Sequence, residues 1–428
     1  MVRRFFSRSR HPGAVAMLAL GVGILSACLL GIAIRPDNML STFWPTNALL
    51  LGWLLRQRRL AGATGWIIAA IAYIAADLLT GSGLELALHM TAANLASVAT
   101  GYLLLRRNRH FNRLLLGPAS VLMLFVAAAA SSVVSALVAL PSTRFLIDAE
   151  LLPAFGYWFS AELVCYMTLL PVVLLSGPGA LQRCDQEPAS QSPLARSAPL
   201  LTLIISSVLA CVIGGPGALV FTAPALLWCA LVYRPLLTAI ATLGICAWTL
   251  LAIATGVLDL GLGQMDLAMI ISLRLGVALL ALAPLMVAAM TAARERILKA
   301  LHHAAHHDAL TEVLSRAGFF HRVAERLAQG VPAATPSAMM LDVDCFKQIN
   351  DRHGHAAGDR VLAEVAQRLH TALPADALLG RLGGEEFAVL LTQQPASAVM
   401  ALAEQLRQRI IETPFQLSPG LPPLAVSI

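Results

Sequence analysis

Long apolar runs separated by short polar or basic stretches fill the first two thirds of the chain, while shorter alternating and helical patterns fill the rest. A helix that crosses a bilayer needs about 20 mostly apolar residues, with roughly 17–25 tolerated. Ten runs meet or approach that length, near residues 14–34, 39–55, 60–80, 84–105, 114–140, 151–176, 199–214, 217–233, 236–257 and 267–290. The two between 199 and 233 are short and meet at Gly214-Gly215-Pro216-Gly217, so one re-entrant hairpin and eight full spans form the alternative. Either count is even. Beyond Met290, Thr291–Leu301 is rich in helix formers and continues the last run. Ile297, Leu301, Ala304 and Ala305 recur there at helical spacing, compatible with a short parallel coiled coil between two subunits.

The pattern then changes. Ala338-Met339-Met340-Leu341-Asp342 is an apolar run of strand length that ends in the carboxylates of Asp342 and Asp344. These two share a face if the strand continues that far. Val361, Leu362, Val365, Ala366 and Leu369 repeat at helical spacing and predict an amphipathic helix. Leu378–Leu382, Gly383-Gly384-Glu385-Glu386 and Phe387–Leu391 read as strand, two-glycine turn and strand, a hairpin with acids at its tip.

Composition agrees with a membrane part followed by a soluble part. The 428 residues are 58% hydrophobic and only 13% charged, with mean hydropathy +0.74, whereas soluble chains carry about 25% charged residues. The seven cysteines at 28, 165, 184, 211, 229, 246 and 345 lie mostly in apolar runs without C-x-x-C spacing, which reads as packing rather than disulfide or metal chemistry. The net charge of +6 does not indicate nucleic acid, because the basic residues cluster beside apolar segments. Arg3, Arg4, Arg8 and Arg10, then Arg56, Arg58 and Arg59, then Arg106, Arg107, Arg109 and Arg113, then Arg294, Arg296 and Lys299 alternate with connections poor in positive charge. This alternation predicts a multi-pass protein of a bacterial inner membrane with both termini cytoplasmic. No small-residue cleavage site ends the first apolar run before Arg35, so that helix is expected to stay.

Polar groups at membrane depth are expensive unless satisfied. Asn47, Asp77, Glu85, His89, Asn94 and Glu162 are therefore expected to bond between helices, to sit at the interface, or to form a site for an unknown sensory ligand. His302, His303, His306 and His307 form two i,i+4 pairs, which fit a polar helix better than a closed metal site.

The acids and glycines of the last third suit nucleotide chemistry. Mg²⁺ takes hard oxygen ligands, typically one or two carboxylates plus substrate phosphates. Asp342 at a strand end and Glu385 at a hairpin tip can supply that pair from neighbouring strands. Gly383 and Gly384 let a base or phosphate approach the backbone. Lys347 offers a point charge for phosphate, and Asn350 and Asp359 offer directional hydrogen bonds to a base edge.

Asp308-Ala309-Leu310-Thr311, Asp342-Val343-Asp344-Cys345-Phe346-Lys347-Gln348-Ile349-Asn350-Asp351, Gly354-His355-Ala356-Ala357-Gly358-Asp359 and Arg381-Leu382-Gly383-Gly384-Glu385-Glu386-Phe387 together resemble the GGDEF family over residues 308–428. The resemblance implies a palm-like, ferredoxin-like α/β domain with an antiparallel-rich sheet, similar to nucleotidyl cyclases. It implies a diguanylate cyclase: two subunits each hold one GTP, and each 3′-hydroxyl attacks the other's α-phosphate, giving cyclic di-GMP and two pyrophosphates. On that reading Asp342, the Val343 carbonyl, Glu385 and Glu386 hold two Mg²⁺ (or Mn²⁺) per half-site, with Glu385 accepting the proton. Asn350 and Asp359 read guanine, His355 sits beside the nucleotide, and Lys347 and the backbone of Cys345 and Phe346 hold phosphates. Aspartate is the commoner family residue at position 385, and glutamate is a frequent functional variant.

Phe43-Trp44-Pro45-Thr46, with Ala92-Ala93-Asn94-Leu95 ahead of Leu103–Arg107, resembles the MASE1 family of multi-span sensory modules over residues 14–290, although that family usually has Trp-Pro-Pro. The implied organisation is a MASE1-like membrane domain at 1–290, a signalling helix at 291–307 and a GGDEF domain at 308–428, assembled as a homodimer through the helix and the GGDEF domain. Two departures accompany the resemblance. Pro374 and Ala377 stand where many members carry an Arg-x-x-Asp inhibitory site, so product feedback there is not expected. The family also continues past the position of Ile428 with an Ala-Asp…Tyr…Ala-Lys section, so the domain is expected to be C-terminally incomplete. A catalytically inactive GTP-binding scaffold is the alternative, and a transporter with an appended regulatory domain is a third reading.

Overall fold

The structure is a computed structural model that describes residues 12–33, 44–108, 111, 115, 117–177, 193–261, 265–328, 336–392, 394–412, 414–416 and 426–428. Several sequence features lie outside the described residues: the basic N-terminus, Arg35, Phe43, Arg109, Arg113 and Cys184. The chain divides into two compact units, Met1–Arg294 and Glu295–Ile428.

The first unit is helical: α1 (Pro12–Ala33), α2 (Thr46–Arg56), α3 (Ala63–Leu79), α4 (Leu84–Arg107), α5 (Pro118–Ile147), α6 (Leu151–Leu175), α7 (Pro193–Ile213), α8 (Ala223–Val232), α9 (Pro235–Ala254) and the start of α10 (Leu267–His306). Among the described residues, seven helices are long and apolar enough to cross a membrane; α2, α3 and α8 are shorter. A 3-10 turn at Pro216–Val220 joins α7 to α8. α7 is long enough to span alone, so the stretch from 199 to 233 is a full helix followed by a short one. Pro141, just past the expected end of the run near 114–140, lies inside α5, which runs on to a left-handed cap at Asp148. Membrane helices tolerate such prolines because neighbouring groups and local adjustments satisfy the freed carbonyl.

Side chains that would be costly in lipid converge. Asn47 of α2 donates through Nδ2 to Asn94 Oδ1 of α4 at 2.9 Å and to Glu162 Oε1 of α6, while the Tyr73 hydroxyl of α3 donates to Asn47 Oδ1. All four residues are buried. One asparagine amide thus joins four helices, which is the interhelical bonding that the sequence pattern predicts for Asn47, Asn94 and Glu162. His89 has a different partner, the Val138 carbonyl, 2.8 Å from its Nε2.

The second unit is an α/β domain. Its sheet has the order β1-β3-β4-β2, with β1 (Leu314–Ser315) parallel to β3 (Leu378–Gly383), and β4 (Glu386–Leu391) antiparallel to both β3 and β2 (Ser337–Asp342). The helices are α11 (Arg316–Ala328), α12 (Phe346–His353), α13 (His355–Ala372) and α14 (Ala396–Glu412). The predicted face of α13, comprising Val361, Leu362, Val365, Ala366 and Leu369, is buried in one core with Phe387, Val389, Leu391, Leu406 and Phe415. An antiparallel-rich sheet with helices packed on it is the palm-like architecture expected from the sequence.

The polar junction between the membrane helices gives a direct expectation. Asn47→Ala removes every bond made by that amide and leaves Glu162 Oε1 unpaired, a loss of about 2–3 kcal/mol. Thermal unfolding of the full-length protein should show a lowered midpoint for this variant and no change for Leu79→Ala, whose side chain is 71% exposed.

Candidate functional site

The chemistry-bearing residues of the second unit gather around three local structures. In the first, β2 and β4 pair so that Asp342 stands directly opposite Glu386. Residues 338, 340 and 342 form the exposed face of β2, and Phe387–Leu391 is buried, so both carboxylates emerge where the strands leave the core. Glu385 precedes Glu386 in the turn and is half-buried. β2 ends at Asp342, so Asp344 does not share its face as a longer strand would require. Its backbone N–H donates to the Ser427 carbonyl at 3.0 Å, and its Oδ2 accepts from the Ser427 hydroxyl at 2.6 Å. Asp344 therefore pins the end of the chain.

The hairpin tip is the second structure. Gly383 and Gly384 have φ of 153° and 52°, values that favour glycine and let the chain reverse between Arg381 and Glu386. Arg381 fixes this reversal from behind: Nε and Nη2 donate to the Gly384 carbonyl at 2.9 and 2.6 Å, and Nη1 donates to Asp308 Oδ1 at 3.1 Å. Asp308 Oδ1 also accepts the backbone N–H and hydroxyl of Thr311 at 2.9 and 2.7 Å. Partial burial pushes the Asp308 carboxyl upward, but the Thr311 donors and the Arg381 guanidinium outweigh it and hold the group below its ordinary range.

The third structure is the α12–α13 corner. Cys345 caps α12 in the left-handed region (φ 53°), and its carbonyl accepts from the N–H groups of Gln348 and Ile349. Lys347 is exposed on α12, His355 is exposed at the start of α13, and Phe346 is half-buried. Asn350 faces Gly358: a Cβ there would stand 2.0 Å from Asn350 Oδ1 and 3.0 Å from the Phe346 ring. Gly358 is thus the complement that lets Asn350 lie against α13, one residue before the exposed Asp359.

The structure therefore joins Asp342 with Glu386 and Asn350 with the Gly358-Asp359 turn. It places Glu385 in the hairpin turn, and Cys345, Phe346 and Lys347 in the chain that follows β2. Sequence reasoning did not single out the supporting residues Arg381, Asp308 and Gly358. Their signal was present in the quoted motifs, but their partners lie far away along the chain.

Two outcomes are expected. Gly358→Ala drives Asn350 from its place; the variant should stay folded by circular dichroism and, on the expectation that Asn350 contacts a nucleotide, lose nucleotide affinity about tenfold or more. Asp308→Asn should lower stability by about 1–2 kcal/mol near neutral pH, given the partial exposure of the pair. A carboxyl held low in the folded state contributes fully above its ordinary range and loses that contribution as pH falls through its folded value. The gap between wild-type and Asp308→Asn melting temperatures should therefore close at strongly acidic pH.

The chain is similar to known proteins along most of its length. Residues 305–428 match the family described as "Diguanylate cyclase, GGDEF domain". The chain is 30% identical over 401 residues to the "Probable diguanylate cyclase DgcF" of Escherichia coli O157:H7, covering 93% of this chain and 83% of that protein. It is 34% identical over 273 residues to the protein of the same name from Escherichia coli K12, covering 63% and 84%. The coiled coil and GGDEF domain of DgcB from Caulobacter crescentus, solved in complex with c-di-GMP, aligns at 27% identity and TM-score 0.30 over 32% of this chain and 74% of that one. With long coverage of relatives at this identity, and with the acids, glycines and asparagine arranged as above, the chain belongs to the GGDEF-domain diguanylate cyclases.

Proposed function

We propose that this protein is a membrane-bound cyclase that condenses two GTP into cyclic di-GMP with release of two pyrophosphates, under the control of its membrane module. The observation that carries the reading is the β2–β4 register, which sets Asp342 against Glu386 with Glu385 adjacent in the turn. Like charges placed directly across strands repel, and a donor set of carboxylate oxygens at a sheet end suits a hard divalent cation. Asp342, Glu385, Glu386 and the Val343 carbonyl would hold Mg²⁺ or Mn²⁺, two per half-site. The ion would polarise the α-phosphate and lower the pKa of the attacking hydroxyl. Glu385 accepts the 3′-hydroxyl proton as the new P–O bond forms and the bond to pyrophosphate breaks. Asn350 and Asp359 bond the guanine edge, and His355 flanks the nucleotide. Lys347, the backbone N–H groups at Cys345 and Phe346, and the Gly383-Gly384 turn receive phosphates.

Each half-site supplies one nucleotide, so the reaction requires two chains. Ile297 and Leu301, 60% and 62% exposed on α10, supply an apolar stripe for a parallel homodimer. Residues 1–290 act as a MASE1-like sensory module, 291–307 as the signalling helix and 308–428 as the cyclase domain. The alternation of basic loops supports both termini facing the cytoplasm of a bacterial inner membrane.

GTP turnover by the purified full-length protein with Mg²⁺ tests the reading. Glu385→Ala should lower product formation at least a hundredfold while GTP still binds. GTP binding without product in the wild type would replace the cyclase with a GTP-binding scaffold. Calorimetry with cyclic di-GMP should show no tight site dependent on Pro374 or Ala377; saturable binding there would restore product feedback.

A further inference from the structure

Inside the first unit, a cavity of about 90 Å³ is lined by Trp44, Asp77, Asn94, Tyr157, Trp158 and Glu162, among others. Glu162 is 3% exposed, and its two oxygens differ. Oε1 accepts from Asn47, whereas Oε2 has no hydrogen-bond partner among the described residues. The Ser135 hydroxyl approaches the same carboxylate. However, it accepts the Trp158 indole N–H at 2.8 Å and points its own donor at the Ala93 carbonyl, 3.3 Å away. At the same cavity the indole Nε1 of Trp44 is also without a partner among the described residues. Glu162, with one oxygen that lacks a donor, and Trp44, with an indole N–H that lacks an acceptor, thus line the same space as the aromatic rings of Tyr157 and Trp158.

The charges select the occupant. Glu162 lines the cavity, while Arg274, the nearby buried cation, does not; Asp77 also lines it but has an interaction of its own. Arg274 stacks 4.3 Å from the centroid of the Tyr157 ring and donates to the Tyr157 carbonyl and hydroxyl. A recess with a buried carboxyl and aromatic faces favours an ammonium group, which the rings attract and which stabilises the carboxyl as its carboxylate.

We propose that this cavity is a binding site for a small primary amine that also carries a hydrogen-bond acceptor. The ammonium donates to Glu162 Oε2, and the acceptor takes the Trp44 indole N–H. Its lining includes the ends of α3 and α5 and the start of α6, away from the basic loops at Arg56–Arg59 and Arg106–Arg107. Under the orientation proposed above it therefore opens on the non-cytoplasmic side, and the inference rests on that reading only for this direction of access and for its sensory use.

Calorimetric titration of the full-length protein in phosphatidylglycerol nanodiscs tests the site without requiring turnover, so its failure is separate from failure of the cyclase reading. Three probes of similar size are compared: 3-amino-1-propanol, the uncharged 1,3-propanediol and the anionic 3-hydroxypropanoate. The aminoalcohol should bind saturably at one site per chain, with the other two at least tenfold weaker. Glu162→Gln and Trp44→Phe should each weaken it at least tenfold, with thermal melting of each variant confirming that it is folded. Equal or tighter binding of the diol or the acid, no saturable binding of the amine, or wild-type affinity in a folded Glu162→Gln protein would overturn the proposal.

Discussion

The antiparallel register between β2 and β4 is the constraint on which the catalytic end of this protein depends. Strand side chains alternate faces, so a slip of one residue would turn the whole set over. Phe387, Val389 and Leu391 pack into one cluster and the smaller Ala388 with Leu390 into another, and β2 alternates packed and exposed residues, so that slip would misplace both strands' side chains. With the register fixed, Asp342 and Glu386 must meet where the two strands end, and the turn must be made by the residues just before Glu386. Gly383 and Gly384 allow the reversal, and the Arg381 fork holds it by gripping the Gly384 carbonyl. The same guanidinium reaches Asp308, at the beginning of the domain. The turn that carries Glu385 is thereby tied to the segment through which the chain enters this unit.

A different constraint governs the first unit. Lipid offers no hydrogen bonds, so backbone groups must be satisfied within helices and polar side chains must find one another. The Asn47 amide does this for four helices at once. Such a junction is specific in a way that apolar packing is not, since Leu, Val and Ala surfaces slide past one another with little penalty. It also leaves one feature unresolved by internal bonding, the second oxygen of Glu162. The junction bonds Glu162 Oε1 through Asn47 but leaves Oε2 without a partner among the described residues, at a residue that also lines a cavity.

Much of this was legible in the residues, for reasons of period and chemistry. The five apolar positions of α13 repeat at helical spacing because one face packs on the sheet, and all five are buried. The run before Asp342 and the one after Glu386 read as strands because they are short, apolar and bounded by glycine and acids. What escaped reading depends on contacts between distant positions. Nothing local distinguishes Gly358 from any helix-capping glycine until Asn350 Oδ1 is seen to occupy the space of its missing side chain. Asp344 was paired with Asp342 by spacing, but the strand ends first and Ser427, far along the chain, takes that carboxylate. The extension of α5 through Pro141 was hidden because proline is a reliable stop signal in water and a weaker one in a bilayer.

The size of the cavity limits what a ligand there can do. A very small ligand gains at most about 1.5 kcal/mol per non-hydrogen atom. Moving a two-state equilibrium from 1:99 to 99:1 takes about 5.5 kcal/mol of differential affinity. A ligand of four or five heavy atoms, with about 6–7.5 kcal/mol at that ceiling, would have to direct most of its binding energy to one state to act as a complete switch. Only contacts that change between states contribute to that difference. The Glu162 pairing is the contact suited to this, because Glu162 Oε1 already belongs to the junction of α2, α3, α4 and α6 through Asn47. An ammonium drawing on Oε2 competes for the same carboxylate charge that Asn47 uses, so occupancy and helix association are coupled through one group. By these magnitudes, a ligand in this cavity would shift the helix junction partially rather than in an all-or-none transition.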